Sequence, residues 1–327
     1  MTASARRDYA LKYQLSDWTV FSVSLPLQMS SVKVARRATP EGQPGPPDEP
    51  LAPGSEGFLE HALPIAESLS PIEVTGAYLR YVQLQYRHCM IDFRSSFEEY
   101  QKKFSSKTRS TINRKVRKFA EHSGGTLYWK TYRTVEELRA FLPLAREVAK
   151  KTYQERLLDA GIPESEWFVG EMESLAAQDN VRAYILFDRE RPVSYLYCPV
   201  EDGTLIYAYL GYDPDYMKLS VGTVLQWLAL EQMFGEGCFR YFDFTEGESE
   251  HKRLFATHEM LCANVLFLRN TLKNRILAHS HWRMGRFSAW LGDTLDEFGI
   301  KAKVKRFLRF RHKSSLGARS GAAIDAR

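Results

Sequence analysis

Residues 204–255 read TLIYAYLGYDPDYMKLSVGTVLQWLALEQMFGEGCFRYFDFTEGESEHKRLF, and the order of elements in this stretch decides the fold. The run Leu205-Ile206-Tyr207-Ala208-Tyr209-Leu210 is β-branched and aromatic, which predicts a strand. Gly211 and the pair Asp213-Pro214 break it. A short loop, Lys218-Leu219-Ser220-Val221-Gly222, leads into an apolar run ending at Phe234 that predicts a long helix. Ser220 stands at the N-cap place, and Gly222 lets a ligand approach the backbone. After Gly235 and Gly237, residues 239–244 predict a second strand, ending in Asp243 and the turn Glu246-Gly247-Glu248. A helix start set between two strands leaves N–H groups and the positive end of the dipole open to an anion.

The same residues carry a resemblance. Lys218-Leu219-Ser220-Val221-Gly222, Asp243-Phe244-Thr245-Glu246-Gly247-Glu248 and the following His251-Lys252-Arg253 resemble the acyl-CoA-binding core of the GNAT acyltransferase superfamily. Within it they are similar to the bacterial branch related to CelD-like proteins of cellulose biosynthesis and Fem-type peptidoglycan aminoacyltransferases. In that branch a basic residue and Ser-Pro-Gly open the helix, and Asp-Phe-x-x-Gly-acidic precedes Tyr-Lys-Arg. Val221 stands here for the proline and His251 for the tyrosine. The general GNAT phosphate signature, Gln/Arg-x-x-Gly-x-Gly/Ala, is not intact, because Ser220 falls where its first glycine belongs.

The resemblance implies a mixed, twisted α/β sheet flanked by helices, with a smaller, degenerate GNAT-like half before the acyl-CoA core. The sheet is expected to splay between 204–211 and 239–244 and admit acetyl-CoA or another acyl-CoA there. The backbone around Tyr209, Leu210, Gly211 and Tyr212 would pair with the pantetheine arm and aim an N–H at the thioester oxygen. The amides of Lys218, Leu219, Ser220, Val221, Gly222 and Thr223 would hold the pyrophosphate. His251 would protonate the leaving thiolate, or else be an exposed helix residue without a role. Asp243 and Glu246 would attract and deprotonate an ammonium substrate; a turn-forming aspartate and a solvated glutamate are the alternatives. Tyr207 and Tyr209, two apart on one strand face, would line the acceptor pocket or simply sit in the core.

Acyl transfer from a thioester needs a neutral amine, a donor for the carbonyl oxygen and a proton for the thiolate, but no metal and no covalent enzyme intermediate. No metal is expected. His258 follows His251 by seven residues, yet no third ligand converges in the sequence.

Composition sets the frame. The chain has 327 residues, 44% hydrophobic, with a net charge of +5, ample for one large or two ordinary domains. Cys89, Cys198, Cys238 and Cys262 are scattered and form no C-x-x-C pair, which favours reduced core thiols over a disulfide frame. The N-terminus has no long apolar core and no run of eighteen apolar residues occurs, so a soluble cytoplasmic protein is expected.

Four segments follow. Residues 1–123 form an N-terminal half-domain with a Pro/Gly-rich loop at 39–57, read as a mobile insertion or a lid, and a basic helix at 107–120. That helix sets Ile112, Val116 and Phe119 on one side and basic residues on the others; it contacts a phosphate or presents a solvated face. Residues 124–269 form the acyl-CoA domain, where Thr134 and Glu137 spell a capping box. Residues 270–313 alternate basic and aromatic side chains, ending in KAKVKRFLRFRHK. The expected role is packing, with peripheral membrane contact through 301–313 as a second reading. Residues 314–327 read as disordered.

Three functions compete: a CoA-dependent N-acyltransferase for a small-molecule or cell-envelope amine, an aminoacyl-tRNA-dependent transferase of the Fem type with tRNA on the basic helix, and a non-catalytic basic surface-binding protein built on a degenerate core.

Overall fold

The computed structural model describes residues 5–15, 18–29, 43–152 and 161–297. The chain opens with an antiparallel hairpin of β1 (Ala5–Leu15) and β2 (Trp18–Met29). After β3 (Gly57–Pro64) and β4 (Ile72–Thr75) comes β5 (Tyr78–Asp92), then α1 (Phe97–Lys102) and α2 (Ser106–His122). Ser96 and Ser105 cap these helices by accepting from Glu99 N–H and Thr108 N–H.

The second part runs β6 (Tyr128–Tyr132), α3 (Val135–Ala149), α4 (Glu166–Ala177), β7 (Val181–Asp188), β8 (Arg191–Glu201), β9 (Thr204–Ile206) and β10 (Tyr209–Tyr212). The capping box of α3 is formed: Thr134 accepts from Glu137 N–H while the Glu137 carboxylate accepts from Thr134 N–H. A 3-10 turn (Pro214–Leu219) precedes α5 (Val221–Glu236), and β11 (Tyr241–Asp243), α6 (Glu250–Phe255), β12 (His258–Arg269) and α7 (Leu272–Glu297) complete the described chain.

The strands make one 12-stranded mixed sheet in the order β1-β2-β3-β12-β5-β11-β9-β8-β7-β6, with β4 on β5 and β10 on β8. Parallel pairing occurs at β2/β3 and β9/β11. β12 lies between β3 and β5 and pairs with β5 from His258↔Met90 to Arg269↔Tyr78. The expected boundary at 123/124 therefore falls inside a continuous sheet. One core cluster crosses it too, joining Cys89, Ile91, Tyr100, Ile112 and Phe119 to Trp227, Phe242 and Phe255. A second cluster, on the other face, packs α3 and α4 against β7 and β8.

Where it is described, the Pro/Gly-rich segment packs against the fold. Leu51 packs on the cluster around Phe58 and Phe267, and Ala52 N–H donates to Gln28 Oε1 at 2.8 Å. Gly57 is obligatory, since a Cβ there would come 2.1 Å from Phe267 O. The basic run 301–313 and the terminus 314–327 lie outside the described residues.

Candidate functional site

The expected single strand over 204–211 is two. β9 pairs with β11 on one side, Leu205↔Phe242 and Ile206↔Asp243, and Tyr207 N–H donates to Asp243 O at 2.9 Å. There the ladder stops. β10 keeps only β8, from Tyr209↔Tyr197 to Tyr212↔Ser194, so β10 and β11 are closed at the base and apart above it. Asp213 N–H donates to Val193 O. By the alternation of an antiparallel ladder, the N–H and C=O of Leu210 and Tyr212 then turn away from β8, toward the gap.

The break between β9 and β10 also separates the two tyrosines expected on one face. Tyr207 packs on Phe242 and Phe244, with ring centroids 5.8 and 5.5 Å away. Tyr209 meets Phe168 and Tyr197 in the cluster on the other side. Burial raises the pKa of both hydroxyls, and each stays protonated at neutral pH.

Beside the gap stands the start of α5. Ser220 is its N-cap, in the left-handed region (φ 54°, ψ 40°), and its side chain makes no capping bond. The first helical bond is Val224 N–H to Ser220 O, so the amides of Val221, Gly222 and Thr223 have no acceptor within the helix. A Cβ on Gly222 would meet Leu210 and Tyr212 side-chain atoms at 3.5 Å, an ordinary contact. Packing of the protein on itself does not demand this glycine. Gly211 differs: its Cβ would fall 2.3 Å from the Tyr195 ring.

The loop before α5 is tightly held. Buried Asp213 accepts from Arg191 Nη2 at 2.6 Å and Asp215 N–H at 3.1 Å, and pairs with Lys151 at 3.3 Å. Tyr216 donates to Asp188 at 2.7 Å, where His122 at the end of α2 also arrives. Lys118 of α2 donates to Lys218 O at 3.3 Å. The basic helix thus lies alongside the helix start and brings a cation to it.

On the α5 side, His251 bonds through Nε2 to Oε1 of fully buried Gln226. Burial, with Lys115 and Lys252 nearby, lowers its pKa to about 4. It is neutral at pH 7, and its single N–H is given to Gln226 Oε1, which leaves Nδ1 as a lone pair and no second N–H to donate. Gln226 Nε2 is buried without a partner among the described residues.

The opposite face of the sheet carries a polar cluster. Cys89, Ile91, Phe242 and Phe244 point into the α5-side core, which sends His88 and Asp243 the other way. His88 Nε2 lies 2.7 Å from Asp243 Oδ1, both residues buried. The same Oδ1 accepts from Thr245 N–H at 2.7 Å, with Thr245 at φ 60°. A carboxylate partner fixes the His88 proton on Nε2 and leaves Nδ1 with a free lone pair. Nδ1 is buried and has no partner among the described residues. Around it, Glu246 accepts from Asn264 Nδ2 at 2.6 Å, and Tyr86 has its pKa raised by burial and by Glu246. Asp243 thus faces a histidine, not open solvent. His88 is the residue that sequence reading missed; its only signal is a histidine in the apolar run Cys89-Met90-Ile91.

Two broad surface hollows lie elsewhere, one along α7 and one between residues 54–56 and 269–274. Among the described residues no three His, Cys, Asp or Glu gather as a metal ion requires.

The model of the family described as "Acetyltransferase (GNAT) domain" matches residues 106–253. Residues 106–253 are a GNAT acyltransferase domain. The match begins at α2 and ends in α6, so it takes in the gap, the helix start and His251, while His88 lies on β5 before the GNAT domain. Among solved structures, FemX is 9% identical, covering 69% of this chain and 75% of its own at a TM-score of 0.46. L-PGS from Bacillus licheniformis is 11% identical, over 68% of this chain and 71% of its own, at 0.39. The PaiA N-acetyltransferase from Thermoplasma acidophilum, solved with coenzyme A, is 18% identical, over 34% of this chain and 75% of its own, at 0.24. A search of curated proteins returns no match.

Proposed function

We propose that this chain is a CoA-dependent N-acyltransferase, with acetyl-CoA as donor, that passes the acyl group directly to an amine. The observation that carries this reading is the β10/β11 gap, closed at Tyr207–Asp243 and open above, beside the uncapped start of α5. Pantetheine adds to the free edge of β10 through Leu210 and Tyr212, as an extended segment adds to a strand. The pyrophosphate sits on the amides of Val221, Gly222 and Thr223, with Lys218 and Lys118 supplying charge.

The amine is bound from the opposite face, where Glu246 and the His88–Asp243 pair converge below the gap. His88 Nδ1 takes the ammonium proton while Asp243 holds Nε2–H and stabilises the imidazolium that forms. The neutral amine attacks the thioester carbon, the C–N bond forms as C–S breaks, and the proton shed by the acylated nitrogen goes to the thiolate, which leaves on the α5 side as the CoA thiol. An N–H at the gap meets the oxygen as it becomes anionic.

Titration with acetyl-CoA followed by thermal unfolding tests the reading. Ligand at about one hundred times its Kd stabilises the native state by roughly 2.7 kcal/mol. Gly222→Val should lose that shift and keep the wild-type Tm without ligand. His88→Gln should keep the shift and lose transfer to a panel of small amines. No shift with the wild type overturns the CoA reading.

A second reading has one observation of its own. Lys107, Arg114 and Arg117 of α2 are exposed, a stripe suited to a polyanion such as the acceptor stem of a charged tRNA. Stabilisation by aminoacyl-tRNA and not by acetyl-CoA would favour it.

A further inference from the structure

Helix α7 rests on the β1/β2 hairpin by one face. Asn274, Leu277 and Ala278 are buried, and the Tyr13 hydroxyl donates to Leu277 O at 3.1 Å. The opposite face stands in solvent with large apolar side chains: Leu272 is 75% exposed, Ile276 61%, Phe287 51% and Trp290 60%. Their spacings of 4, 11 and 3 residues, at about 100° per residue, put them on one side of the helix. Arg275, Arg283 and Arg286 are interleaved with them and exposed. Residues 272–290 contain no Asp or Glu, and neither does the run KAKVKRFLRFRHK at 301–313.

Over 272–290 aliphatic and aromatic groups are mixed with arginines and no acid intervenes; the acids of α7, Asp293, Asp296 and Glu297, come only in its last turns. The stretch 272–290 matches a surface that is apolar beneath and anionic on top. We propose that the outward face of α7 docks this protein on an anionic lipid bilayer. The helix lies in the interfacial plane, with Leu272, Ile276, Phe287 and Trp290 in the acyl boundary and the arginine heads reaching phosphates. A nucleic acid would answer the arginines but leave Leu272 and Ile276 with no apolar partner, so lipid is the occupant the side chains favour. Among the described residues no helix is long and apolar enough to cross a membrane; the attachment is peripheral. The inference does not depend on the acyl-transfer reading.

Sedimentation of the full chain with vesicles of phosphatidylcholine alone, or mixed with phosphatidylglycerol, tests it. The protein should pellet only with the anionic vesicles and be released by salt. The double variant Arg283→Glu, Arg286→Glu should weaken binding about tenfold or more. Ile276→Asp with Phe287→Asp should weaken it comparably, and neither pair should lower Tm, because these side chains are exposed. Four outcomes overturn the proposal: no pelleting with anionic vesicles, equal pelleting with both kinds, binding indifferent to the α7 substitutions, or an Ile276-dependent dimer or RNA complex in place of lipid binding.

Discussion

Two glycines beside the gap look alike in the sequence and do different work. Gly211 is fixed by Tyr195, whose ring occupies the place of a side chain. Gly211→Ala should overpack the strand and cost about 1–3 kcal/mol in urea unfolding. Gly222→Ala should cost the fold little, because its Cβ finds ordinary contacts, yet should weaken CoA binding if a phosphate comes close to that backbone. His251 gives a pH prediction. Its folded pKa, about 4, lies below the usual 6.5, so the unfolded chain binds the extra proton between those values. Stability is complete above pH 6.5 and falls as the solution is acidified toward pH 4. His251→Gln should lose about 2 kcal/mol less than wild type between pH 7 and pH 5.

At the scale of elements, α5 and its approach were legible in the sequence because each boundary has a local cause. Asp213-Pro214 opens the turn and Thr134 with Glu137 starts α3, while Ser220 holds the N-cap place before the apolar run through a left-handed backbone and not through the side-chain bond its identity suggests. The split of β9 from β10 was not legible. An unbroken aromatic run reads as one strand; what divides it is a one-residue slip of register against β8, between Leu205↔Val200 and Tyr209↔Tyr197, and the end of the β11 pairing, both a matter of distant residues. His88 escaped for a similar reason, since its partner Asp243 lies 155 positions away. The role of α2 was half legible: its charge could be read, its placement could not. Lys118→Glu puts an anion beside the helix start, and should reduce acetyl-CoA affinity with little change in Tm. A loss of affinity that vanishes at high salt would show that the lysine acts through charge.

For the whole molecule, the sequence suggested two successive halves, whereas pairing interleaves them. β12 supplies hydrogen bonds to β3 and β5 together, and Val265, Leu266, Phe267 and Leu268 are fully buried there. A fragment of residues 124–269 would carry β12 with both edges bare and should aggregate; co-expression with residues 1–123 should return it to the soluble fraction, assayed by size exclusion. The family match, covering 106–253, leaves β5 and β12 outside it. Those two strands nonetheless hold Asn264 and His88 below the gap.

The position of β12 also bears on how the protein is made. A ribosome delivers β3 and β5 long before the strand that must slide between them, so the early chain has a vacancy in its centre that no residue yet synthesised can fill. The nascent protein should stay open to chaperones until residue 269 has cleared the exit tunnel, and then zip shut late and all at once.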